Sequence, residues 1–131
     1  MGQVENKHER LLKYANRALY AGIEVVKAGI FVTDISKAVE AYAMQMGYVT
    51  CQVFSGHGIG EDMHEDPTIP FFTSRDSKFI QKFGMRRLKA GEVICIEPML
   101  TFKDRGGQQA PDGWTVLTRD GKFSAMFEHM V

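Results

Sequence analysis

The sequence predicts an α+β fold, and three features carry that expectation. Apolar residues recur at helical spacing through the first third. The period then shortens to apolar runs typical of strands. An Asp-Gly turn near the end favours antiparallel pairing. Helices followed by a run of antiparallel strands define the class. The 131 residues suffice for a single unit with its own core. The 44% hydrophobic and 24% charged fractions are globular values and argue against disorder. Sixteen basic residues balance sixteen acidic ones. That balance argues against nucleic acid as a partner, which needs a basic surplus, and against anionic membrane surfaces.

Residues 9–27 read as the first helix, with Leu11, Leu12, Ala15, Ala18, Leu19, Ile23 and Val26 on one face and Gly29 as the stop. Thr33 reads as the N-cap of the second, with Asp34 facing the helix dipole. Ile35, Ala38, Val39, Tyr42 and Met46 supply its apolar stripe, and Gly47 closes it. Residues 48–54 then read as a strand and residues 55–60 as a Gly-rich loop. Residues 71–91 are polar and basic, with Arg75, Lys78, Lys82, Arg86, Arg87 and Lys89. They read as an exposed connection with a short helical turn; a phosphate or partner site is the alternative. Residues 93–97 form a strand stopped by Pro98. Residues 115–118 and 123–131 read as a hairpin around Arg119-Asp120-Gly121-Lys122.

The first seven residues carry no apolar run behind a basic stretch, which argues against a secretory signal. Gly2 has no Ser or Thr at position 6, so the myristoylation pattern fails. No stretch approaches the roughly 20 apolar residues that span a bilayer. Cys51 and Cys95 read as free thiols in a reducing compartment, so a cytoplasmic location is expected.

Two histidines fall close together, His57 in Gly56-His57-Gly58-Ile59-Gly60 and His64 in Met63-His64-Glu65-Asp66-Pro67. The glycines permit close approach of a ligand. Two unrelated loop histidines are the alternative reading. Glu97 ends the apolar run Val93-Ile94-Cys95-Ile96, where an unpaired carboxylate is costly to desolvate. Glu128 repeats the pattern inside Ala125-Met126-Phe127-Glu128. Together these offer oxygen and nitrogen donors for a divalent metal. Otherwise Glu97 pairs with a lysine and Glu128 faces solvent. Cys95 shares the face of Glu97, beside the site, but reads as a small buried hydrophobe rather than a ligand. His8 reads as solvated, and His129 as pointing away from Glu128.

These residues resemble a known family. Phe54-Ser55-Gly56-His57-Gly58-Ile59-Gly60 with Met63-His64-Glu65-Asp66-Pro67, then Ile96-Glu97-Pro98-Met99, then Asp112-Gly113-Trp114-Thr115-Val116, then Ser124-Ala125-Met126-Phe127-Glu128-His129 are similar to the ordered motifs of type I methionine aminopeptidases. The resemblance implies a pita-bread fold, two divalent metal ions (cobalt, manganese, iron or zinc) and removal of initiator methionine from nascent polypeptides. It implies that His57, Glu97 and Glu128 are metal ligands, with Glu97 also general base and Glu128 bridging. It implies that His64 contacts the substrate carbonyl, and that Met63 and Trp114 line the methionine pocket. Asp-Gly-Trp-Thr and the Ser-Ala-x-Phe-Glu-His ending fit these enzymes better than prolidases, a rival reading with an Xaa-Pro preference.

The resembled catalytic domain is about twice this length, and its first half carries two aspartate ligands. Those aspartates lie roughly eleven positions apart, and no aspartate here has a carboxylate eleven residues beyond it. The resemblance therefore implies the C-terminal half of a pita-bread domain, residues 1–131 as a single unit, with one metal or none held alone. A complementary N-terminal half or self-association is the expected partner. A non-catalytic binding module or an inactive fragment is the alternative.

Overall fold

A computed structural model describes residues 4–131. Gly2 lies outside the described residues. Two helices, α1 (Asn6–Ile23) and α2 (Val32–Gln45), pack together and against the strands that follow. The strands are β1 (Val49–Thr50), β2 (Ser55–Gly58), β3 (Glu65–Pro70), β4 (Ile94–Ile96), β5 (Met99–Thr101), β6 (Gln108–Gln109), β7 (Val116–Leu117), β8 (Ser124–Met126) and β9 (His129–Met130). The fold is α+β, as the pattern predicts.

Each helix buries one stripe. Leu11, Ala15, Ala18 and Leu19 of α1 meet Val32, Ile35, Val39 and Ala43 of α2 in a core shared with Ile69, Phe71, Ile94, Ile96, Leu100 and Ala125. Leu12, expected on the buried face, is instead exposed. α1 ends before Gly29; Val25 and Val26 cover the core from a turn. Thr33 is not the N-cap, because α2 begins at Val32. Phe31 occupies the cap position and donates its N–H to Asp34 at 3.0 Å, which frees the Thr33 side chain to be buried. Gly47 terminates α2 at φ 82°, a conformation that suits glycine.

All strand pairs are antiparallel, in the orders β3-β2-β4-β9, β1-β5-β8 and β6-β7. The first two sheets share their strands' parent segments. Cys95 and Ile96 pair with Met130 and His129, and Met99 to Thr101 pair with Met126 to Ser124 in the same register. One ribbon therefore runs through both sheets, interrupted only where Glu97-Pro98 face Glu128-Phe127. The strand alongside breaks at the same level. Cys51 donates to Met99 O, residues 52–54 bulge out, and His57 pairs with Cys95.

Three expectations change here. Residues 55–60 are not a free loop, because Ser55–Gly58 form the strand between β3 and β4. Glycine is required there by crowding: a Cβ on Gly56 would sit 2.3 Å from Cys95 O, and one on Gly58 2.2 Å from Asp66 O. The expected hairpin of 115–118 with 123–131 does not form. β7 pairs with β6, while β8 and β9 pair with β5 and β4, because Ala125 seats in the core at the ribbon. β3 escaped notice because Pro67 and Pro70 disguise it; as an edge strand it tolerates both.

Residues 71–91 are mostly exposed, as expected, with short helix α3 (Ser77–Phe79) and a π-helical turn (Ile80–Gly84). Phe71 and Leu88 nevertheless anchor both ends in the core. Glu40 of α2 is buried and fully partnered, accepting from Thr73 N at 2.8 Å, Thr73 Oγ1 at 2.6 Å and Arg105 at 2.9 Å. Asp104 holds the loop after β5. It accepts from Gly106 N, Gly107 N, Arg119 N and the Arg119 guanidinium. The hydrogen bonds from Arg119 hold the Asp104 carboxyl well below the usual carboxylate range.

Two outcomes follow. Gly56→Ala should lower stability by about 1–3 kcal/mol, the range for overpacking, read as a lower urea midpoint; an unchanged midpoint would mean that β2 is not pressed against β4. Asp104 has a depressed folded pKa, so its contribution is complete above the ordinary carboxylate pKa of about 3.9 and fades as pH falls below it. The stability gap between wild type and Asp104→Asn should hold from about pH 7 to 5 and narrow below about 4.

Candidate metal centre

The interruption of the ribbon puts several donors on one face. Ile94 and Ile96 point to the helices and the core. Alternation sends Cys95 and Glu97 to the other face. His57, paired with Cys95, and Glu128, opposite Glu97, project to that same face. His57 lies with its Nε2 3.2 Å from Glu97 Oε1, both side chains largely buried. A ring nitrogen of His57, the Cys95 sulfur and a Glu128 oxygen lie within 4.8 Å of one another.

Local structure fixes the orientation. The His57 Nδ1 is 2.9 Å from the Gly58 carbonyl, which accepts from it. That bond leaves Nε2 directed at Glu97, where it pairs with the carboxylate when the ring is protonated and is free to bind a metal when it is not. The 3.2 Å separation matches the roughly 3.3 Å between two tetrahedral ligands at about 2.0–2.1 Å from a metal. Burial raises the Glu97 pKa, the nearby Glu128 carboxylate raises it further, and His57 lowers it. Burial also pushes the Cys95 thiol up, and Glu128 and Glu97 act the same way. Acidic groups crowded so that each opposes the ionisation of the next form a site short of positive charge, which a divalent cation would supply. The donor set fits such a cation.

His64 joins from the β2–β3 connection. Glu65 pairs with Gly58 and accepts from Asp62 N at 2.9 Å, so the loop folds back. The His64 ring then sits edge-on to His57, centroids 4.4 Å apart. A cleft of about 560 Å³ is lined by Phe54, Ser55, His57, His64, Glu65 and Glu97, among others. Glu128 is exposed, not buried in a strand as its sequence context suggests, because it falls in the gap between β8 and β9.

The other expected residues are more loosely placed. Trp114, 89% exposed, lines a second cleft of about 490 Å³ with Cys51, Met99 and Thr101; Phe54 lies in both clefts. Met63 is 71% exposed and lines neither. His129 faces α1, its Nε2 3.2 Å from the Tyr20 hydroxyl, on the side away from Glu128. His8 is not simply solvated; its ring packs edge-on against Phe123 at 4.3 Å. Both cysteines are free and buried. Sequence reasoning gave Phe54 no role, although its position beside Ser55 and His57 was the available signal.

Comparison with known proteins is decisive for the family. The model of metallopeptidase family M24 matches residues 1–131. The chain belongs to metallopeptidase family M24. Curated M24 relatives include the methionine aminopeptidase of Borreliella burgdorferi, 36% identical over all of this chain and 50% of its own length. Methionine aminopeptidase 1 of Bacillus subtilis is 34% identical over the same shares. The crystal structure of the Rickettsia prowazekii methionine aminopeptidase superposes with a TM-score of 0.87 at 35% identity, covering 98% of this chain and 50% of that one. A prolidase from Pyrococcus furiosus, 21% identical with a TM-score of 0.66, shares the fold over 98% of this chain and 30% of its own. The chain thus spans about half the length of the curated relatives it matches, and its fold is half of the pita-bread architecture. Among the described residues no helix is long and apolar enough to cross a membrane.

A metal that binds the folded state alone raises stability, by about 2.7 kcal/mol at a hundredfold excess over its dissociation constant. Manganese or cobalt should therefore raise the melting temperature of the wild type, and His57→Ala should abolish the rise. A wild type indifferent to every divalent metal would contradict the metal reading.

Proposed function

We propose that this chain supplies half of the active site of a methionine aminopeptidase, which removes the N-terminal methionine of new polypeptides. The convergence of His57, Glu97 and Glu128 at one interruption of the ribbon, within an M24 metallopeptidase, carries the reading. When bound, a divalent metal supplies a water of lowered pKa and a Lewis acid for the scissile carbonyl. Cobalt, manganese, iron and zinc all suit imidazole and carboxylate donors. His57 is held by Gly58 O with Nε2 directed at the site. Glu97, a carboxylate with a raised pKa, accepts the proton of the attacking water at its carboxylate oxygen and passes it to the leaving amine. Glu128, facing Glu97 from the adjacent strand, would be a further carboxylate ligand of the metal, the role the family resemblance implies for it. His64, beside His57 at the open side of the cleft, donates a hydrogen bond to the developing oxyanion. Trp114 and Phe54, which line the second cleft together, offer an apolar wall for the methionine side chain; Met63 lines neither cleft and is a pocket residue by the family resemblance alone.

The donor face is open, which supports a need for a second half. Glu128, His64 and Met130 are exposed there, and β3 and β9 are free sheet edges. Such edges and apolar surface favour pairing. A complementary N-terminal half, on the same or another polypeptide, would cover the face and complete the ligand set; a second copy is the other way to cover it. A cytoplasmic location fits an enzyme that meets polypeptides as they are made.

The experiment is release of methionine from a Met-Ala-Ser peptide with each divalent metal, alone and with the N-terminal half of a relative added. Turnover should appear with metal and rise on complementation. Glu97→Gln should lower it by about 10²–10⁴, the usual contribution of a general base. No turnover in any combination would leave a binding module or inactive fragment. Light scattering after size exclusion checks association: the prediction is a species larger than one chain at micromolar concentration, and a clean monomer would contradict it.

A further inference from the structure

Residues 71–91 have no part in the reading above. They hold six of the sixteen basic residues and one of the sixteen acidic ones, so the neutral balance of the chain conceals a basic segment. Among the described residues only Arg86 of the six has an acidic partner, Glu92. Lys82 is exposed and lies over the Phe83 ring, 5.1 Å from its centroid. Packing fixes the turn that presents it. Phe79 packs against Phe72 and Phe83, with centroids 5.2 and 5.0 Å apart. Asp76 caps α3, accepting from Lys78 N at 2.8 Å and Phe79 N at 3.2 Å.

That turn borders the metal site. A third cleft, of about 220 Å³, is lined by Asp66, Pro67 and Thr68 of β3 and by Lys82, Phe83 and Arg86. Asp66 and Thr68 also line the cleft of His57, His64 and Glu97, so the two clefts are contiguous. The charge changes sign along them. Glu65 and Asp66 lie toward the metal donors, Lys82 and Arg86 at the far end. A polypeptide bound by its N-terminus presents an ammonium to the first end and its later side chains to the second.

We propose that this turn selects the substrate: the third cleft receives an acidic side chain downstream of the N-terminal methionine, and Lys82, aided by Arg86, holds its carboxylate. Lys82 has no acid to release before it binds another, and the Thr68 hydroxyl is a further donor in the cleft. Arg86 stays paired with Glu92, but its five N–H groups leave donors to spare. Complementary charge of this kind sets preference among partners more than overall affinity. The inference rests on the aminopeptidase reading for where the N-terminus lies.

The test is binding of peptides that begin Met-Ala-Ser and end in a fluorophore, followed by anisotropy on the manganese-loaded chain. A ketomethylene replaces the first amide, so no peptide is cleaved. The peptides differ only by one glutamate, glutamine or lysine placed at positions four to seven in turn. At one position or more the glutamate peptide should bind about two- to fivefold tighter than its glutamine match, the range for an exposed ion pair, and the gain should fade with salt. Lys82→Gln should abolish the gain, and Lys82→Glu should pass it to the lysine peptide. Lys13→Glu, the same change of charge at an exposed position of α1, should leave it intact. Equal binding of glutamate and glutamine peptides by the wild type would overturn the inference, while methionine release from Met-Ala-Ser judges the aminopeptidase reading separately. A gain kept by Lys82→Glu, or lost in Lys13→Glu, would overturn it too. Poly-uridine RNA bound more tightly than any peptide, and released by Lys82→Glu, would make the segment an RNA contact and overturn it likewise. No binding of any peptide would overturn both readings.

Discussion

Pro98 has no amide hydrogen to give to a β-ladder, and much of this molecule follows from that. The ribbon of residues 94–101 and 124–131 keeps one register from end to end, yet it cannot hydrogen-bond through Pro98. The ladder therefore opens at Glu97-Pro98 and at the facing Phe127-Glu128. An open ladder is where side chains can be re-aimed without sacrificing the strands around them. The neighbouring strand bulges at residues 52–54 on the same level, which brings His57 to the same place. Three segments distant in sequence thus deliver their donors to one corner, while Ile94, Ile96, Leu100 and Ala125 hold the other face against the helices.

That corner is electrostatically unfinished. Glu97 and Cys95 are each made harder to ionise by burial and by the carboxylates beside them. Such crowding lowers stability unless a cation relieves it. Elsewhere the chain pairs its buried acids. Glu40 accepts from Thr73 and Arg105, and Asp104 from Arg119 and two loop amides. The contrast separates structural carboxylates from those at the corner: the former are satisfied within the chain, and the latter face an open cleft.

Much of this was legible in the sequence, for reasons specific to each element. The helices announced themselves because Leu11, Ala15, Ala18, Leu19, Ile35 and Val39 keep a strict period. Glu97 stood out because a carboxylate closes an apolar run, and His57 because glycines surround it. The errors share a cause as well. Glycines at 56 and 58 mimic a loop, whereas here they admit Cys95 O and Asp66 O at close range, which only tertiary packing reveals. Asp120-Gly121 marks a real turn, but Ala125 is needed in the core, and that long-range demand redirects the strand after it. Glu128 reads as a strand residue because nothing local betrays the gap opposite Pro98. The nearness of Cys95 to His57 and Glu128 depends on two strand pairings, which no single segment encodes.

The corner of the ribbon as a metal centre is the central claim, and anomalous diffraction from crystals grown with cobalt tests it most directly. The account predicts a peak at the interruption of the ribbon, within bonding distance of His57 Nε2 and of the Glu97 and Glu128 carboxylates. No peak at full cobalt loading, or one seated on the exposed Glu65 and Asp66 instead, would contradict it.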